Sequence, residues 1–434
     1  MLLLYFKQAW NLIKQEKLFS SLYIVGTGLS VTIVMVLSIV YYIKIANIYP
    51  ETNRNRMLII QNAVEKISND DINSYHLSYK TIESCLQPLQ DAEAVSAIYD
   101  AWGKEHYVQP VGSKEQVPVT VRYVDNDFWN VFPFRFLQGA PFTEADFQSG
   151  IRTAVISESI AKRLFGTIDV VGQYVSMNFM PYKVSGIVKD ASFVTQTTYA
   201  QLWIPYTVNP DYKVHSGKGG SLGPLKAYIL APSVNEIEKI RKEALENARK
   251  FNSALPDNVE FKLMGQPDRH WQSIFRFFSN EEPDFTKIIG QHILIFMILL
   301  LIPGISLSGM TDSRMERRLS EMGIRRVFGA PVKTLMWQIF SENFLFTLLG
   351  GLAGLLFSYI FILISSDWIM TIGQTFGPQK PPDIAVVVAP MMLINIPVFL
   401  IALGVCFLLN IITAMIPAWR ASHRGIIFSL NAKQ

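Results

Sequence analysis

The 434-residue chain is poor in charge and almost free of cysteine: 17% of its residues are charged and it has 2 cysteines. Cys406 lies in an apolar run and Cys85 in a polar one, so no internal disulfide is expected and a cystine-stapled secreted fold is excluded. Metal-ligand spacing is missing too. The 6 histidines, at 76, 106, 215, 270, 292 and 423, never stand as His-x-x-x-His and no cysteine pair accompanies them, so no metal site is expected. A phosphate loop of the form Gly-x-x-x-x-Gly-Lys-Ser/Thr is absent as well. At its nearest approach, Ser216-Gly217-Lys218-Gly219, Tyr212 stands where the first glycine belongs and Gly219 replaces the hydroxyl. Gly304-Ile305-Ser306-Leu307-Ser308-Gly309 fails as a nucleophile elbow because Ser308 takes the place of the second glycine. No catalytic residue and no cofactor is assigned on these grounds. The net charge of +4, concentrated beside apolar runs, excludes the broad basic face of a nucleic-acid binder.

What the chain has is apolar length. Half of it is hydrophobic, and a positive mean hydropathy points to the membrane class. The runs 19–46, 288–310, 335–365 and 384–417 each exceed the roughly 20 residues needed to cross a hydrocarbon layer as a helix. Pro303-Gly304 interrupts the second, which a transmembrane helix tolerates when neighbours re-satisfy the backbone. The first run is too long for a signal peptide and is expected to be a retained anchor. Lys7, Lys14 and Lys17 precede it, six basic residues from Arg314 to Lys333 follow the second run, and Arg420 and Arg424 follow the fourth. By the positive-inside rule an amphipathic N-terminus (1–18), a short segment (311–334) and a tail (418–434) face the cytoplasm, while 47–287 and the loop 366–383 face outward. The expected fold class is a membrane α-helical protein with four transmembrane helices and a large α/β plus β extracytoplasmic domain inserted between spans one and two.

Within 47–287, strand-like composition appears at 56–62, 95–101, 117–124 and 227–230. Residues 232–252 read as a helix, with Ser233 as its cap, Glu236 as the capping-box partner and Ile237, Ile240, Ala244, Leu245 and Ala248 along one face. A mostly β subdomain is expected over about 126–206, with short strands at 153–156, 174–177 and 182–188. His270, Trp271, Phe275, Phe277 and Phe278 cluster shortly before the second span and read as an interfacial aromatic belt. His292 and Glu342 are ionisable groups near span ends.

The segment between spans two and three reads as a handle for a cytosolic partner. Arg317, Arg318, Glu321, Gly323, Arg325, Arg326, Gly329 and Ala330 supply charge, close approach and a helix end. Gly26 with Ser30, and Gly350 with Gly354, stand four apart and allow helices to approach closely, within one chain or between two.

These residues carry a resemblance. One span, a large outer domain and three further spans resemble the MacB and FtsX class of ABC-transporter permeases (type VII) over nearly the whole chain. Ser320 to Ala330 is similar to the family's Glu-Ile-Gly-x-Arg/Lys-Arg/Lys-x-x-Gly-Ala coupling segment, and Pro417-Ala418-Trp419-Arg420-Ala421 to its exit from the last span. Ile156 to Gly166, Val171-Gly172 and Val184 to Val188 resemble its periplasmic core. The resemblance implies a multi-pass permease of a bacterial inner (cytoplasmic) membrane with both termini cytoplasmic. It is not itself an enzyme in that case: a separate cytoplasmic ABC ATPase subunit hydrolyses ATP, and mechanotransmission carries the change to the periplasmic domain for efflux or extrusion. A second permease copy or a related permease, a periplasmic adaptor or hydrolase, and membrane lipid are the implied partners. Control of a cell-wall hydrolase in the manner of FtsX and lipoprotein release are the alternatives within the family. A membrane-anchored ligand-binding receptor is the alternative outside it, although a receptor has no need of three further spans.

Overall fold

The structure is a computed structural model that describes residues 10–11, 14–15, 17–67, 71–99, 106–112, 115–276, 281–299, 324–325, 327–371 and scattered positions between 396 and 412. Two units emerge: one holds Tyr42–Ile288, the other gathers residues up to Tyr41 with Ile289–Ile369 and the described positions beyond Val388.

In the first unit, apolar runs make strands covered on both faces. Met57–Ile60, Thr153–Ser157 and Leu202–Pro205 are buried at every position, where a strand with one wet face would alternate. The hydrogen-bonded path runs through Glu260–Lys262, Ala63–Lys66, Ile72–Leu77, Leu225–Leu230, Ala94–Tyr99, Val121–Val124, Leu202–Pro205, Thr153–Ser157, Met180–Val188, Tyr174–Met177, His106–Pro110 and Val117–Val119. Leu202–Pro205 lies parallel to Val121–Val124, and Met180–Val188 parallel to Thr153–Ser157. The stretch expected as a mostly β subdomain belongs to the same sheet. Its strands continue the same path, which satisfies the backbone groups along Val121–Val124. It also contains helices at Phe128–Val131, Glu144–Gln148 and Glu158–Phe165, and His106–Pro110, from before residue 126, pairs with Tyr174–Met177.

The helix Ile237–Asn252 buries Ile237, Ile240, Ala244, Ala248 and Phe251 at helical spacing. Ser233 does not cap it. A 3-10 turn at Val234–Glu236 intervenes and the Ser233 side chain makes no capping bond, so the α-helix starts at Ile237. Near the middle of the path, Phe134 packs edge-on against Trp203 with ring centroids 5.0 Å apart, and Phe128 and Trp129 flank them. Such rings contribute about 0.5–1.5 kcal/mol per pair beyond their buried area. Cys85, read from sequence as part of a polar stretch, is buried in this core, and burial pushes its thiol up to about 12.

The second unit is helical. Lys17–Ile45 and Val332–Thr371 are continuous helices of 29 and 40 residues, and by length and composition Ser20–Ile45 and Val332–Ser366 are each able to cross a membrane. Phe285–Leu299 is a shorter apolar helix. The long helix takes in the first residues of the outer loop expected at 366–383; the rest of that loop, the rest of the expected second span and most of the expected fourth lie outside the described residues.

Candidate coupling segment and helix contacts

The candidate coupling segment ends in a glycine-closed turn. The Phe328 N–H donates to Ile324 O at 3.1 Å and the Ala330 N–H to Arg325 O at 3.0 Å, with Gly329 at φ +88°. Other residues rarely adopt that backbone conformation, so Gly329 stops the helix where Pro331 prepares the next one. Arg325 turns back towards the long helix. Its Nη1 donates to Gln338 Oε1 at 2.7 Å, and Gln338 Nε2 donates to Glu342 Oε1 at 3.2 Å. Gln338 and Glu342, one turn apart, share a face, and Glu342 is buried. Within the chain, then, the half-buried Arg325 guanidinium braces the turn against the long helix. Several exposed residues of the segment are apolar. Ile324 and Val327 are about half exposed and Phe328 is 86% exposed. Arg317, Arg318, Glu321, Gly323 and Arg326 lie outside the described residues.

The two long helices touch through small residues. A Cβ on Gly354 would overlap Gly28 O and stand 2.9 Å from Val31 Cβ, while one on Gly350 would stand 2.8 Å from Thr27 Cβ. Tyr23 Oη donates to Asn343 Oδ1 at 3.2 Å, and the Tyr23 and Phe346 rings lie 5.2 Å apart. Partners climb together, 23 with 343, 28 with 350, 32 with 354, so the helices run parallel. Positions near 403–407 run the other way: Phe407 meets Phe340 and Phe344, and Leu403 lies over Gly351. Gly28, which sequence reading missed, stands against Gly350 and Gly354 of the long helix. Gly26 instead accepts a hydrogen bond from Ser30 within its own helix at 2.9 Å. Gly28 and Thr32 repeat the same small-residue spacing two positions on, which turns it about 200° around the helix. His292 approaches Tyr41, ring to ring, at 5.8 Å.

The glycine loop that fails as a phosphate cradle still wraps a carboxyl group, and that group is internal. Glu65, fully buried on Ala63–Lys66, accepts from Gly219 N at 2.9 Å, Ser221 N at 3.4 Å and Ser221 Oγ at 2.6 Å. Gly217 sits at φ +81°, and a Cβ there would overlap the Glu65 carboxylate. The loop's amides are thus turned to a carboxylate of the same chain.

Comparison with known proteins adds to this geometry. The family model for the MacB-like periplasmic core domain matches residues 20–246, and that for the FtsX-like permease C-terminal matches residues 293–426. The ABC transporter permease YknZ of Bacillus subtilis is 24% identical over 246 residues, 57% of this chain and 58% of its own length. The macrolide export ATP-binding/permease protein MacB 2 of Aeromonas hydrophila is 24% identical over 264 residues, 58% of this chain and 37% of its own. The match spans less than two thirds of either relative's length. The solved extracellular domain of YknZ from Gram-positive bacteria aligns with 46% of this chain and 99% of its own, at 17% identity and a TM-score of 0.32.

Proposed function

Since the chain belongs to the family of ABC-transporter permeases that join a MacB-like periplasmic core domain to an FtsX-like permease segment, we propose that it is the permease subunit through which a separate cytoplasmic ATPase changes the conformation of an outer domain. The parallel run of Lys17–Ile45 and Val332–Thr371 is the observation that carries this topology. Two parallel crossing helices require the chain between them to cross back an odd number of times, which fits one further span after the α/β unit. The antiparallel positions near 403–407 fit a fourth. Both termini and the 311–334 segment are then cytoplasmic, the ATPase docks at that segment, and a second permease completes a dimer in the bilayer. Export from the outer side is the working activity, in line with relatives named for macrolide and pyoverdine export.

Affinity capture of the tagged full-length chain from detergent-solubilised membranes tests this proposal. An ATP-hydrolysing subunit should accompany it, with hydrolysis in the complex and none in the isolated chain. Intact complexes that contain no such subunit would sink it.

A further inference from the structure

Four buried polar residues meet where the first long helix ends. Its last turn leaves carbonyls without helical partners, and Arg54 takes two of them, donating from Nη1 to Ile43 O at 2.7 Å and to Ala46 O at 2.8 Å. The same guanidinium donates from Nε to Glu51 Oε2 at 2.8 Å. The other oxygen of Glu51 accepts from the backbone N–H of Thr198 at 3.1 Å and from its Oγ1 at 3.0 Å. Thr198 precedes the strand Leu202–Pro205, so one carboxylate joins the helix end to the sheet. His270 completes the group at the start of the short helix His270–Phe275. Its Nε2 stands 3.9 Å from Glu51 Oε2, the oxygen that Arg54 holds, and its Nδ1 is buried with no hydrogen-bond partner among the described residues.

We propose that Glu51, Arg54, Thr198 and His270 form a buried latch fastening the end of the first long helix to the core domain, and that proton uptake by His270 opens it. The imidazolium would address the same Glu51 oxygen as Arg54 Nε, so two cations compete for one carboxylate oxygen while repelling each other. An unpartnered buried charge is strongly unfavourable, and the latched state admits only neutral His270. Burial, followed by the Arg54 charge, lowers its pKa from 6.5 to about 4, against a smaller opposing effect of Glu51. Burial alone would raise Glu51, but Arg54, through its charge and its hydrogen bond, leads the causes that hold the carboxyl below its ordinary value.

Charges on the elements packed around His270 are engaged elsewhere. Arg56 bonds Ala231 O and Glu93, Arg269 bonds Glu238, Asp268 bonds Arg276, and Met57–Ile60 brings no charge. The sign follows from the depressed pKa: the latch is intact above about 6.5 and is lost as pH falls toward 4. The inference deepens the permease proposal and rests on it for what the latch transmits, whereas its test needs no ATPase and reads the joint alone.

Hydrogen exchange of the full-length protein in detergent micelles, at about pH 7.5 and about pH 5 and corrected for intrinsic rates, reads residues 43–54 and 192–200. Acid should cut their protection by up to about thirtyfold and leave Thr153–Ser157 unchanged. His270→Gln, which cannot take up the proton, should hold protection equal at both pH values, and Arg54→Lys should lower it at both. Thr198→Val removes one bond to Glu51 at a distance from the imidazole; it should lower protection at both pH values and keep the acid loss, which keeps the test open should His270→Gln fail to fold. An acid loss equal in His270→Gln and the native protein, no acid loss in the native protein, or protection of residues 43–54 and 192–200 left unchanged by Thr198→Val would overturn the proposal.

Discussion

The Thr32 hydroxyl donates to Gly354 O at 3.1 Å, from one long helix to the other, while also donating to Gly28 O in its own helix at 2.8 Å. That shared bond is possible only because neither glycine has a side chain in the way. Gly354→Val should therefore force the helices apart at a cost of about 1–3 kcal/mol, read as a lower thermal midpoint of the full chain in detergent. Gly290, on Phe285–Leu299, has open space around it. Gly290→Ala should be neutral or stabilising by up to about 1 kcal/mol. Equal losses in both variants would show that close approach is not what Gly354 supplies.

Cysteine labelling checks the proposed topology. Cys85 is buried and its thiol is pushed up by burial, so it lacks both access and thiolate at neutral pH and should stay unlabelled in the folded protein. Exposed Ser216, replaced by cysteine, should react with an impermeant maleimide applied from outside, whereas Phe328→Cys should react only after the inner membrane is opened. Phe328→Cys reacting first would invert the orientation.

At the coupling segment the expected contact is apolar. Phe328→Ala removes an exposed ring without touching the Gly329 turn or the Arg325–Gln338 bond, and should weaken ATPase capture by at least about tenfold, about 1.4 kcal/mol. Arg325→Ala should act differently, loosening the turn and raising proteolysis near Ala330. Unchanged capture with Phe328→Ala would move the contact to another part of the segment.

Glu65→Ala would leave Gly219 N, Ser221 N and Ser221 Oγ without their acceptor, at about 1–3 kcal/mol for each group that stays buried. Trypsin should then cut after exposed Lys218 far faster than in the native chain. An unchanged cleavage rate would mean that the loop is held by other contacts.

How legible these features were depended on distance along the chain. The Ile237–Asn252 helix and the strands buried on both faces follow from local spacing and composition. The failure of Ser233 to cap was a matter of one inserted 3-10 turn, too fine for composition to reveal. Gly28 carried the same spacing signal as Gly26, and only packing selects between faces on opposite sides of a helix. His270 read as a belt aromatic because its partners, Glu51 and Arg54, come from the far end of the domain. Glu65 was silent for the same reason, since its loop lies more than a hundred residues away. The Arg325–Gln338 bond was equally hidden, because sequence gives the charge of a side chain but not its direction.

The close seating of Gly28, Gly350 and Gly354 also limits how the two long helices can move. Sliding one along the other by part of a turn would carry Thr27 or Val31 onto backbone that has no room for them. The next equivalent register is a full turn away, about 5.4 Å. Axial slip is thus stepped, whereas tilting about the glycine contact meets no such barrier. The contact therefore constrains the pair as a pivot does, leaving the angle between the helices freer than their register.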